Sequence, residues 1–297
     1  MLPDSAALLW RLVAKGASPI VPLNEGEGGL PLYFVHSIGG EIASYSELAR
    51  LLSSKQRIYG IQVPQEKLSA GFASSIQSIA EYYVDTLIAF QREGPVALGG
   101  WSVGSVIALE MAQQLQARGR TVRLLVVFDG ILANTGAGLS TLNPLYYWKL
   151  VCNLPRWVAH DLLEDWQLSN LIRRGKRKLL LALATLVARS ESSTRYHSVD
   201  GFVNTRAWPP AQASFARTLY DAAMSYVPRA YHGQVLVFAA NTQPLYHLPQ
   251  IMAAWKKIAT SIEAVEIAGT HLNILRQPRI INVSHQLSER LRKFDVL

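Results

Sequence analysis

The chain has 297 residues, 49% hydrophobic and 17% charged, with a net charge of +8, enough apolar material for one large α/β domain carrying an insertion, or for two domains. Its single cysteine, Cys152, excludes an internal disulfide and points to a reducing, cytoplasmic setting. The N-terminus lacks the basic start and unbroken apolar core of a secretory signal. The longest strongly apolar uncharged run in mid-chain, residues 179–188, falls well short of the ~20 residues that span a bilayer.

In chain order, residues 20–23 read as an extra antiparallel strand ahead of the loop 24–29. Apolar runs at 32–36, 57–62, 95–98, 122–128, 234–239 and 262–267 read as strands. Between them, 42–52, 74–91 and 103–117 place apolar residues at helical spacing; on 74–91 these are Ile76, Ile79, Ala80, Tyr83, Val84, Leu87 and Ile88. Strand, crossover helix and strand repeated this way imply a mostly parallel sheet flanked by helices. The repeat breaks after Phe128 and resumes at 215–226, and a structureless loop of that length is improbable in a compact domain. Residues 132–216 are therefore expected to be a helical lid insertion over the C-terminal edge of the sheet. Residues 20–131 and 217–297 would form the core, and 1–19 a helical extension or linker. The insertion holds four of the seven tryptophans and the cluster Arg173, Arg174, Lys176, Arg177 and Lys178. Such runs are ordinarily solvated faces; the sharper reading is contact with an acidic partner, a phosphate-bearing substrate or an anionic membrane surface.

The segment Gly99-Gly100-Trp101-Ser102-Val103-Gly104-Ser105 carries the chemistry. Glycine-flanked serines are common in ordinary turns, but this one follows a strand (PVALGG) and precedes a helix (VGSVIALEMAQQLQ). That is the setting in which a sharp turn presents a serine nucleophile at the edge of the sheet. A serine hydroxyl needs a base, and the base an orienting acid. His271, in EIAGTHLNIL just after the last strand, is the histidine placed to serve. No Asp or Glu occurs between Asp221 and Glu263, so the strand before the last offers no acid. Asp129, at the end of LLVVFDG, remains, in the chain order Ser, Asp, His. The oxyanion hole is expected from the amide of Val103 and from the loop in PLYFVHSIGGE, where Ser37 is the first choice and a one-residue change of register gives Ile38. His36, beside that loop, reads as structural. No paired-histidine or CxxC spacing, phosphate loop of the G-x-x-x-x-G-K type, RNP-like signature or helix-turn-helix pattern is present. No metal, cofactor or nucleic acid is expected.

Taken together, IVPLNEG, YFVHSIGG, IYGIQVP, GGWSVGS, LLVVFDG, AAMSYVPRAYHGQVLVFAA and IAGTHLNIL resemble the thioesterase domains that release products from nonribosomal peptide and polyketide synthetases, over about residues 20–295. The resemblance implies an α/β-hydrolase fold with a helical lid and a triad at Ser102, Asp129 and His271. It also implies an acyl chain delivered as a thioester on the phosphopantetheine arm of a carrier protein. Such carriers tend to be acidic, which suits the basic insertion. Two departures stand out: many relatives have proline at the position of Ser37, and the chain starts at Met1 with no evident carrier domain, as expected of a domain that acts in trans or is excised. A carboxylesterase or lipase with the same triad, and a non-catalytic module that docks a carrier or a membrane, remain as alternatives.

Overall fold

The computed structural model describes residues 18–52, 56–69, 71–136, 144–157, 199, 205–242 and 251–294. The extension before residue 18, the cluster Arg173, Arg174, Lys176, Arg177 and Lys178, and the apolar run 179–188 lie outside the described residues.

The described residues form one seven-stranded sheet from β1 (Ile20–Pro22), β2 (Gly28–Val35), β3 (Gln56–Ile61), β4 (Val96–Trp101), β5 (Val122–Phe128), β6 (Tyr231–Thr242) and β7 (Ala259–Thr270). Their order is β1-β3-β2-β4-β5-β6-β7. Every pairing is parallel except β1 on β3, so 20–23 does supply an antiparallel edge. β2 is followed in the chain by β3 on one side and β4 on the other. Strand order therefore reverses at β2/β4, and the crevice beyond the C-terminal ends there is the natural ligand site of such a sheet.

The helices are α1 (Ser46–Leu51), α2 (Ile76–Phe90), α3 (Val103–Ala117), α4 (Pro144–Trp157), α5 (Pro210–Ser225), α6 (Ile251–Ile258) and α7 (Arg279–Leu291). Alternation along each strand divides the core in two. Tyr33, Val35, Leu98, Leu125, Val127, Val235 and Val237 pack with α2, α3, α5 and α6. Leu32, Phe34, Ala97, Val126, Phe128, Leu236 and Phe238 pack with α1 and α7 on the other face. α2 begins at Ser75, whose hydroxyl accepts the Ser78 amide at 3.3 Å, a cap that satisfies one free N–H of the first turn. It buries the stripe read from its spacing as far as Leu87, with Ile88 partly buried.

α3 is buried nearly all round, including Glu110 and Gln113. Glu110 accepts the Tyr226 hydroxyl at 2.7 Å and the Gln114 amide at 2.9 Å, and Gln113 donates to the Arg229 carbonyl at 2.9 Å. The bonds of Tyr226 and Arg229 tie the chain leaving α5 to the helix behind Ser102. α5 starts at Pro210, so the helix spans the boundary expected at 216/217, with Phe215 fully buried. α6 has no counterpart in the sequence reading; its anchor is Trp255, buried and bonded to the Gly130 carbonyl at 2.8 Å. β6 and β7 run twelve residues each, about twice their apolar cores.

The joint of β4 and α3 has no spare volume. A Cβ on Gly100 would lie 2.2 Å from the Gly104 carbonyl carbon, and one on Gly104 would lie 2.6 Å from the carbonyl oxygens of Val35 and His36. Gly100→Ala is expected to lower the unfolding free energy by about 3 kcal/mol or more, read from chemical denaturation.

Candidate active site

Ser102 sits between β4 and α3 with φ 58° and ψ −124°, and its amide donates to the Phe128 carbonyl at 3.0 Å. Among the described residues only two non-glycines have positive φ, Ser102 and Asp129. Such conformations cost of order 1–3 kcal/mol each and persist only where the surroundings enforce them. Gly100 and Gly104 bring backbone against backbone on either side of Ser102, and that contact is the enforcement. Val103 opens α3, so its amide has no intrahelical acceptor, and the helix N-terminus favours negative charge beside Ser102.

Asp129 follows β5 directly, with φ 51°. Its amide donates to the Phe238 carbonyl at 2.8 Å, and its Oδ1 accepts the Ala240 amide at 2.8 Å. The carboxylate is almost wholly buried, and Oδ2 lies 2.7 Å from Nδ1 of His271. A carboxylate can only accept, so Nδ1 carries a proton, and in the neutral ring the lone pair is on Nε2. His271 follows β7 in a turn held by three side chains. Asn241 accepts the Gly269 amide at 3.1 Å, Asn273 accepts the Thr270 amide at 2.6 Å, and Arg279 donates to the Ala268 carbonyl at 2.7 Å. The imidazole lies against Trp101, the neighbour of Ser102: ring centroids are 5.5 Å apart, and the indole N–H donates to the His271 carbonyl at 3.1 Å.

The loop after β2 is braced from below and above. His36 is fully buried; its Nδ1 lies 2.7 Å from the Ser37 carbonyl and its Nε2 2.8 Å from the Tyr83 hydroxyl. A carbonyl cannot donate, so Nδ1 bears the proton and Nε2 accepts from Tyr83. The Ser37 carbonyl also accepts the Gly40 amide at 3.0 Å. The C=O and N–H of a trans peptide point opposite ways, so fixing the Ser37 carbonyl inward turns the Ile38 amide outward. From above, Gln212 of α5 donates to the Gly39 carbonyl at 2.8 Å. The Ser37 side chain is engaged with Glu41.

The structure thus brings Ser102, Val103, Asp129, His271, Ser37 and Ile38 to the C-terminal edge of one sheet. The five-residue basic cluster falls outside the described residues. Sequence reading missed Trp101, Trp255, Asn241, Asn273 and Gln212, which hold the site through side-chain hydrogen bonds to backbone. No spacing or motif marks Trp101, Trp255, Asn241 or Gln212, because their partners are remote in the chain, and Asn273, whose partner Thr270 is three residues away, reads as an ordinary turn residue.

Residues 30–142 match the family model of the thioesterase domain. The polyketide synthase PksR of Bacillus subtilis is 34% identical over 116 residues, 39% of this chain and 4% of that protein. The chondramide synthase cmdD of Chondromyces crocatus is 25% identical over 96% of this chain and 7% of its own length. The chain therefore spans only a small part of these curated relatives. Among solved structures, the NocB thioesterase domain from the nocardicin cluster superposes with a TM-score of 0.57 at 21% identity, over 92% of this chain and 98% of that one. A four-domain nonribosomal peptide synthetase, AB3403, gives 0.62 at 20% identity, over 96% and 21%. These likenesses are of fold.

Burial lowers the pKa of His36 from 6.5 to about 4, against a smaller opposing effect of its bond to Ser37. The unfolded chain binds this proton below about pH 6.5 and the folded one only below about 4. The stability the neutral ring contributes is complete above pH 6.5 and lost as pH falls to 4, on the order of 3 kcal/mol. His36→Asn is expected to flatten that slope of unfolding free energy between pH 6.5 and 4, measured by urea denaturation across the window.

Proposed function

From the premise that the chain is a thioesterase domain of the kind borne by nonribosomal peptide and polyketide synthetases, we propose that it releases an acyl, peptidyl or polyketide chain from a carrier-bound thioester through Ser102, His271 and Asp129. The observation that carries this reading is the 2.7 Å contact of the buried Asp129 with the partly exposed His271, together with a serine held at positive φ on a strand–helix turn.

The mechanism follows from what each group can donate or accept. Ser102 Oγ attacks the thioester carbonyl as Nε2 of His271 takes its proton. Asp129 stabilises the imidazolium and holds its tautomer. The carbonyl oxygen, now negative, accepts hydrogen bonds from the amides of Val103 and Ile38; the peptide-plane argument favours Ile38 over Ser37. Collapse breaks the C–S bond, and the departing thiolate of the phosphopantetheine arm takes the proton from His271. Water or a nucleophile within the chain then attacks the Ser102 ester with His271 as base again, giving an acid or a ring.

We take residues 132–216 as the lid. The segment leaves the sheet just after Asp129 and Gly130, and its return through α5 touches the oxyanion loop at Gly39. Its cluster Arg173, Arg174, Lys176, Arg177 and Lys178 would dock an acidic carrier or rest on an anionic membrane, in a cytoplasmic setting. No described helix is long and apolar enough to cross a membrane.

Ser102→Ala is expected to abolish turnover of acyl-pantetheine thioesters and labelling by a fluorophosphonate. Asp129→Asn should reduce kcat by about 10⁴-fold with the circular dichroism spectrum unchanged. Undiminished activity in either variant would sink the assignment, and a preference for glyceride or p-nitrophenyl esters over thioesters would make the protein an esterase. Replacing the five lid cations by Gln should raise KM for a carrier-bound substrate about tenfold at low salt but leave KM for acyl-pantetheine unaltered. Loss of liposome binding instead would assign the cluster to a membrane.

A further inference from the structure

Tyr45, in the 3-10 turn Ala43–Tyr45 ahead of α1, belongs to no motif in the sequence, yet it touches both halves of the site. In the ladder between β2 and β4 the last matched pair is Val35 with Gly100. Beyond it the two chains part. His36 turns its amide to Ile61 of β3 at 2.9 Å, and Ser102 turns its own to Phe128 of β5 at 3.0 Å. At the parting, the Tyr45 hydroxyl donates to the Val35 carbonyl at 2.7 Å and accepts the Trp101 amide at 2.7 Å. One hydroxyl can serve both, having one hydrogen and two lone pairs. The ring is fully buried and stacks on Phe34, with centroids 4.8 Å apart and planes 11° apart. Packing on the α1/α7 face of the sheet seats the ring, and the two hydrogen bonds fix where the hydroxyl stands. Burial also pushes the phenol well above the usual tyrosine range, so the bridge keeps its polarity at any working pH.

Resting on the nucleophile reading above, we propose that Tyr45 is a positioning residue that sets the separation of the two oxyanion amides. Through Val35 it holds the strand end that carries the Ile38 loop. Through Trp101 it holds the turn that carries Ser102 and Val103. Trp101 also donates to the His271 carbonyl, so a shift of that residue reaches the base. Tyr45 touches no reacting atom. Its effect is felt when charge develops on the carbonyl oxygen, because only then must two amides converge on one point; misplacing them weakens the transition state more than the bound substrate.

Tyr45→Phe keeps the ring and removes only the bridge. With sites counted by fluorophosphonate labelling carried to completion, kcat per Ser102 site is expected to fall about 10- to 100-fold, with KM for an acyl-pantetheine thioester within about twofold. Phe34→Leu loosens the same packing but keeps the hydroxyl, and should retain kcat per site. A Tyr45→Phe enzyme with undiminished kcat per site overturns the proposal. So does an equal fall in Phe34→Leu, which would make the effect one of packing. If wild-type protein is not labelled at Ser102, the nucleophile reading itself fails, and the proposal with it. Should Tyr45→Phe not fold, a fluorotyrosine introduced at position 45 serves instead. Its fluorine resonance is expected to move when Ser102 is phosphonylated, and an unmoved resonance overturns the bridge.

Discussion

The site depends on one steric constraint, the contact of backbone with backbone where β4 passes into α3. Gly100 meets Gly104, and Gly104 meets the carbonyls of Val35 and His36, at distances that leave no room for a Cβ. This contact holds Ser102 in a conformation that an L-residue does not choose by itself. It also seats the N-terminus of α3 on the end of β2, so the first amide of the helix and the loop after β2 are brought to the same place. The nucleophile candidate and both candidate amide donors thus derive their positions from one junction.

Around that junction, three buried polar groups, Asp129, His36 and Glu110, are each paired. Asp129 spends one oxygen on the Ala240 amide and the other on His271. His36 is neutral in a fully buried pocket, with one nitrogen on a carbonyl and the other on a hydroxyl. Glu110, behind the serine, accepts from a tyrosine and a glutamine. Desolvation makes an unpaired group in such a place costly, so each pairing admits few geometries. Precision at the site is in this sense a by-product of satisfying buried donors and acceptors.

Much of this was legible in the residues. The strand 122–128 and the helix 103–117 coincide with β5 and α3, because their apolar spacing is long and regular and their ends are marked by polar or glycine residues. The helix α6 was not legible: eight residues with an apolar Trp255 and two lysines give too short a period to distinguish from a loop. β6 and β7 were read short because their outer halves are polar and gain their conformation from ladder hydrogen bonds along the partner strand. The start of α5 was missed for a related reason. Pro210 begins the helix, but the apolar period that reveals it starts only at Ala213 and Phe215.

The sequence by itself determined the class of fold and the residue types available at the strand ends. Apolar periodicity is a local property, and the empty stretch between Asp221 and Glu263 left Asp129 as the one strand-end carboxylate in the required order. Only the tertiary structure decided how those residues are held. Asp129 and His271 are 142 positions apart, and Trp101 and Tyr45 are 56. Their hydrogen bonds exist because the sheet order brings remote strand ends side by side. The peptide plane between Ser37 and Ile38 is likewise fixed by contacts of the Ser37 carbonyl with His36 and Gly40. A hydrogen bond between distant segments leaves no periodic trace in the chain, and it is read only once the fold has closed.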